Sequence, residues 1–262
     1  MIQSLNEISP WLSAFLFIGV AELYSIGLML LSRQRLGIER LRLNNEVAGF
    51  KFAVVGVLYA VLLAFVVIAV WENYSSTEGA VRNETKALLD LDRVSHAFPE
   101  ASGAEIRGGI RDYAREIRNT EWQLMTDGDA SVTAETALQR LSETIFAAKP
   151  RDAGDAILYD HALKFLTIIN DNRAERLDSA TGTVPGVLWV VLIVGALITL
   201  GYPAFFASTS LVAQILMTAS LAALVALTLF VAAVLSYPFT GTVHVSPEPV
   251  DHALERLSVS GR

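Results

Sequence analysis

Glu22 is the residue of this sequence whose type and place most demand a chemical reason, because it stands near the middle of an apolar run, residues 11–31. A carboxylate at a bilayer centre costs roughly 2.5–3.5 kcal/mol on insertion scales, so it must face protein or water, or hold a proton. Tyr59, in a second apolar run, falls at the same depth, about 13 Å from the side of the loop joining the two runs; Thr218 in a fourth run lies slightly shallower. Two kinds of chemistry fit this trio. Glu22 either handles protons or ions in a polar seam, or is a protonated carboxyl hydrogen-bonded to Tyr59 or Thr218 that fixes helix packing. A second constellation concerns close approach: Gly56, Ala60 and Ala64 repeat every four residues, as do Ala219 and Ala223. Small residues at this spacing let backbones approach closely, within one chain, at a subunit interface or along a pore wall.

Other polar groups carry less. Asp127-Gly128-Asp129 reads as a turn, since a calcium loop spreads its ligands over about twelve residues and ends in Glu. His244, Glu248 and His252 could approach one another, but Pro247 and Pro249 interrupt a helical i, i+4 arrangement, so no metal site is expected. Arg173 and Arg176 read as solvating a helix end, with lipid phosphates the alternative partner. His96 and His161, on or beside apolar helix faces, read as core or boundary residues. The sequence holds no Gly-rich phosphate loop, nucleophile elbow or HExxH motif. It therefore offers no catalytic residue and no cofactor, and an enzyme is not expected. The lack of cysteine excludes disulfides, thiolate metal sites and cysteine nucleophiles together. A net charge of −7 without a basic run argues against nucleic acid.

The elements that must position these residues are four apolar runs in two pairs, residues 11–31, 50–71, 184–206 and 211–235, around about 110 polar residues. Each reaches the ~20 residues a helix needs to cross ~30 Å of hydrocarbon. Composition agrees: 53% of residues are hydrophobic and 18% charged. The first run follows Glu7 without Lys or Arg and is longer than a signal-peptide core, so it reads as a retained span. Arg33, Arg35, Arg40 and Arg42 fill the first short loop, with Lys51 at the next span's edge; this asymmetry predicts a cytoplasmic loop and an outer polar domain.

The polar segment reads as helical throughout. Tyr74, Val81 and Leu88 recur every seven residues, continued by Leu91, Val94 and Phe98 up to Pro99, so the second span runs on as one long helix. Ile106, Ile110, Tyr113, Ile117 and Leu124 line an amphipathic helix, and Leu138, Leu141, Ile145 and Phe146 a third. A fourth carries Ile157, Leu158, His161, Phe165, Ile168 and Ile169. The chain thus reads as all-α: a polytopic membrane protein with a hairpin over 1–71, a helical-bundle domain inserted between spans 2 and 3 over 72–183, a second hairpin over 184–236 and a tail over 237–262.

Several segments in order resemble the bacterial bestrophin-like family of integral membrane proteins, a family of unknown function. They are 44–49 (Asn44 to Gly49), 55–65 (Val55 to Phe65), Trp71-Glu72-Asn73-Tyr74, Glu121-Trp122, Val184-Pro185 with Leu188-Trp189, Pro238-Phe239-Thr240-Gly241, and Val245-Ser246-Pro247-Glu248-Pro249. The resemblance implies likeness to bestrophins, homopentameric anion channels with four spans and a cytoplasmic helical domain between the second and third. The loop arginines argue for an outer domain here, and the acidic balance suits cations better than anions.

Two function classes follow: a homo-oligomeric bestrophin-like channel or pore in the bacterial cytoplasmic membrane, with lipid, its own copies and small ions as partners, or a membrane-anchored sensing or binding protein with an extracytoplasmic bundle. On the charge asymmetry, a cysteine at Ser102 should react with an impermeant thiol reagent in intact cells and one at Gly37 should be protected. The opposite labelling pattern reverses the topology.

Overall fold

The computed structural model describes residues 10–241 and 243–259; the flanking residue Glu7 lies outside them. Every regular element among the described residues is helical. In chain order these are α1 (Pro10–Leu36), α2 (Ile38–Leu43), α3 (Asn45–Ser95), α4 (Glu100–Glu116), α5 (Val132–Ala147), α6 (Ala153–Ala180), α7 (Gly186–Gly201), α8 (Leu211–Leu235) and α9 (Glu248–Val259). A π-helical turn, Ile117–Glu121, and a last α turn, Trp122–Leu124, follow α4; a 3-10 turn, Tyr202–Phe205, extends α7. Helices α1, α3, α7 with its 3-10 turn, and α8 are long and apolar enough to cross a membrane. The chain divides into two compact units: one from the residues up to Glu72 with 183–236 and 240–243, the other from 73–182 with 237–239 and 244–262.

In the first unit α1 runs antiparallel to α8. Phe17 meets Phe230 edge-on at 5.8 Å near one end, and Arg33 Nη1 donates to Gln214 Oε1 at 2.7 Å near the other. The inward stripe of α8 carries Thr218, Ala222 and Ala226, all buried. Close approach on α8 is thus provided by these residues; Ala219 and Ala223, expected from spacing alone, are only half-buried. Alongside α7, α1 runs parallel and donates hydroxyls to its last carbonyls: Tyr24 to Leu197 O at 3.2 Å, Ser25 to Leu200 O at 2.7 Å and Ser32 to Ala204 O. Pro203 has no N–H to continue the ladder there, so this end of α7 needs outside donors. Helix α3 reaches α7 through large side chains. Tyr59 lays its ring over Gly195, where a Cβ would stand 2.6 Å from it, and its OH donates to Leu192 O at 3.2 Å.

The second unit is a helical bundle with its core on seven-residue repeats. Thr77, Val81, Glu84, Leu88, Leu91 and Ser95 are the inward residues of α3, at alternating spacings of four and three. Ile106, Ile110, Tyr113 and Ile117 face them, with Leu138, Leu141 and Ile145 from α5. Helix starts are capped: Ser131 Oγ accepts from Ala134 N, and Asp152 Oδ1 from Asp155 N at 2.8 Å. Asp127-Gly128-Asp129 is a turn, with Gly128 at φ 83°.

Three local expectations change. The π turn takes in one residue more than an α turn, so the buried face moves to Trp122 and Met125 and leaves Leu124 half-buried. On α6 the inward stripe is Ala162, Leu166, Ile169, Arg173, Arg176 and Ala180; Ile157, Ile168 and His161 are exposed, as are Phe146 on α5 and His96 in the turn after α3. The tail is not irregular: Pro247 and Pro249 sit at the start of α9, where a missing N–H costs nothing, and Glu248 and His252 are paired i, i+4 at 3.4 Å. Val250 and Leu257 of α9 are buried in the bundle core.

Candidate functional site

The polar residues of the first unit do not form the cluster that depth alone suggests. Given the α1–α8 register, Glu22 is level with Val225, about two helical turns from Thr218. Among the described residues no hydrogen bond joins Glu22, which is half-buried, to Tyr59 or Thr218. Tyr59 shares that depth but gives its OH to the Leu192 carbonyl. Thr218 is buried beside Gln214, toward the opposite end of the unit from Phe17 and Phe230. A polar atom that the sequence did not bring forward is Thr199 Oγ1, buried with no partner next to Tyr59.

The small-residue face of α3 is largely unfilled. A Cβ built on Gly56 meets no atom within 4 Å, and Ala60 and Ala64 are exposed. These residues border a groove of about 450 Å³, whose far wall is Leu221, Leu224, Val225 and Thr228 of α8. On the other side of Tyr59 a second, almost wholly apolar groove of about 460 Å³ separates α3 from α7. Packing inside one chain therefore explains Gly195, which Tyr59 covers, but not Gly56.

The second unit holds a buried charge cluster. Arg176, with no exposed side-chain surface, donates from Nε to Glu84 Oε2 at 2.7 Å, from Nη2 to Glu121 Oε2 at 2.7 Å and from Nη1 to Met125 Sδ at 3.0 Å. Arg173 donates from Nη2 to Glu121 Oε1 at 2.7 Å and also reaches Glu135. Tyr113 OH donates to Glu84 Oε1 at 2.5 Å, and Ser131 N approaches Glu121. Two guanidiniums face two wholly buried carboxylates, so the core charges cancel. Burial works against the charge on Arg176, and the carboxylates of Glu84 and Glu121 more than offset it, so its affinity for the proton rises. Burial pushes the Glu121 carboxyl up, but Arg176 and Arg173 outweigh it and hold Glu121 below the usual carboxylate range. Burial and then the Glu84 carboxylate raise the Tyr113 phenol well above its ordinary value, so it stays protonated as a donor.

This cluster corrects the reading of Arg173 and Arg176 as solvated or lipid-facing. The signal lay in register: both arginines continue the Ala162–Leu166–Ile169 repeat, and Glu84 continues that of Val81 and Leu88. Arg176→Met should destabilise the bundle by roughly 3–5 kcal/mol, because it leaves buried carboxylates uncompensated. Faster hydrogen exchange along α6 reports it, and a loss under about 1 kcal/mol would contradict the cluster. Glu121 also makes stability depend on pH. Its folded value is depressed, so its contribution is whole above about pH 4.3 and is lost as pH falls through the lowered value.

Three of the segments that carried the family resemblance meet in the second unit. Trp122 packs edge-on against Phe239 at 5.5 Å, Glu121 belongs to the charge cluster, and Val245 N donates to Pro238 O at 2.7 Å. Asn45 Nδ2 and Oδ1 pair with the carbonyl and N–H of Ala207. Residues 19–250 match the Bestrophin-like domain. Among solved structures, a single-substitution variant of a bacterial bestrophin homolog from Klebsiella pneumoniae aligns with a TM-score of 0.71 at 16% identity, covering 98% of this chain and 100% of the other. A second variant of the Klebsiella pneumoniae homolog aligns at 0.71 and 16%, covering 95% and 99%. A structure described as a membrane protein aligns at 0.70 and 15%, covering 95% and 98%. At these identities the likeness shows the fold alone. No curated protein sequence matches the chain. With the family domain matched over most of its length and four helices able to span a bilayer, this chain belongs to the bestrophin-like family of membrane proteins.

Proposed function

We propose that the chain is one subunit of a homo-oligomeric ion channel, in which the Gly56/Ala60/Ala64 face of α3 lies against a second copy or along the conduction path. The observation that carries this reading is the open space at Gly56. A glycine in an apolar span lowers helix propensity by about 1 kcal/mol relative to alanine, and no atom of the same chain comes near enough to require it. A helix of another subunit, or an ion path, supplies a reason that the single chain does not. The solved bacterial bestrophin homologs of the same fold support the channel reading by analogy. The exposed arginines Arg35, Arg40 and Arg42 at the turn between the first two spans support the orientation with that turn in the cytoplasm and the bundle outside.

Gly56→Leu separates packing within the chain from packing between chains. The single chain should fold as before, while assembly weakens by about tenfold, equivalent to 1.4 kcal/mol, and ion flux in vesicles falls with it. Stoichiometry and flux are read in one reconstituted preparation. A wild-type monomer without flux would leave the anchored-sensor reading in place.

Glu22 is the group we assign to ion or proton handling in that assembly. Glu22→Gln keeps size and hydrogen-bonding capacity, so it should preserve assembly and abolish the pH dependence of flux. An unchanged pH profile in the Gln variant removes this role.

A further inference from the structure

The first unit contains a built cavity beyond the Gly56 face, sharing only Phe52 and Leu221 with the groove there. It measures about 610 Å³, within the range of small-molecule sites, and is polar at the rim and apolar within. The rim is a loop fixed from three sides. Arg33 Nη1 donates to Ser208 O at 2.8 Å, Asn45 pairs with the backbone of Ala207, and Gln214, itself 4% exposed, donates to Phe206 O and accepts from Ser208 N. Arg42, on the short helix α2, stands at this rim. Its side chain is 48% exposed, and its ion pair is a long one, 3.9 Å, to Glu39, which is 89% exposed. Deeper in, the walls are Phe52, Met217 and Leu221. A charge at the end of the spans above an apolar recess reaching inward matches a molecule with a phosphate and a hydrocarbon chain.

We propose that this cavity binds an anionic phospholipid, its phosphate on Arg42 and an acyl chain along Phe52, Met217 and Leu221. Arginine pairs with phosphate through charge-assisted, paired hydrogen bonds, and Arg42 has donors to spare. The polar rim holds the loop in place without using that guanidinium, so the site is preorganised. The assignment is independent of conduction, since it requires neither a second copy nor an ion path.

The test is native mass spectrometry of the full chain, purified in detergent and titrated with dioleoyl phosphatidylglycerol, dioleoyl phosphatidylcholine or inorganic phosphate. Phosphatidylglycerol should be retained and phosphatidylcholine lost. Arg42→Gln should weaken retention roughly tenfold, about the value of one charge-assisted contact. Arg35→Gln, at the same end but outside the cavity, should leave retention unchanged. Met217→Trp, which lines this cavity and not the Gly56 groove, fills the recess without altering charge and should displace the lipid, while circular dichroism confirms that both cavity variants remain helical. Equal losses in Arg42→Gln and Arg35→Gln would overturn the site in favour of diffuse attraction. Competition by inorganic phosphate at equal concentration would overturn the lipid and leave a simple anion site. Loss of assembly in Met217→Trp, with no lipid on the wild-type chain, would mean that a second copy occupies the cavity.

Discussion

A guanidinium cut off from water, that of Arg176, is the constraint around which the bundle is arranged. A buried charge of this kind is tolerable only if several donors find acceptors at once, and here those acceptors come from separate parts of the chain. Helix α3 must bring Glu84 inward, the π turn after α4 must bring Glu121 inward, and α6 must keep its seven-residue register for two further turns beyond Ile169. A slip of one residue in any of them would leave an ion in the core without its counter-ion. Hydrophobic packing alone tolerates such slips far better, so the cluster selects one register among several that would bury similar apolar area.

The membrane unit is built on the opposite economy. Its polar contacts between helices include hydroxyls from α1 and α3 meeting carbonyls of α7, together with the side chains that fix the 206–210 loop. Two glycines show the contrast between filled and open helix faces. Gly195 is required by an aromatic ring of its own chain; Gly56 faces space. The first is a packing residue of the subunit, and the second has its explanation elsewhere.

How much of this was legible in the sequence depended on whether a pattern was carried by residue type or by position. The four spans, the run of α3 past the bilayer length and the turn at Gly128 follow from composition, periodicity and turn chemistry, and all are visible in the structure. The stripe on α6 was misplaced because an apolar count passes over arginines, and the true stripe contains two of them. The π turn left no local mark beyond a break in phase between Ile117 and Trp122. The proline pair at 247 and 249 was taken for an interruption, yet proline at a helix start is compatible with the helix that follows. For Glu22, depth was readable but the rotation of α1 against its neighbours was not, because α1 is apolar on every face.

The route of the last residues has a consequence for biosynthesis. Phe239, Val245, Val250 and Leu257 lie in the bundle core, although they follow the fourth span in the chain. The core therefore stays open while residues 73–182 leave the ribosome, and it closes only after both hairpins have been handed to the membrane. Until then Trp122 lacks the aromatic face of Phe239. A nascent chain whose second hairpin fails to insert is thus left with an unfinished domain, and its uncovered apolar surface marks it for disposal by quality control.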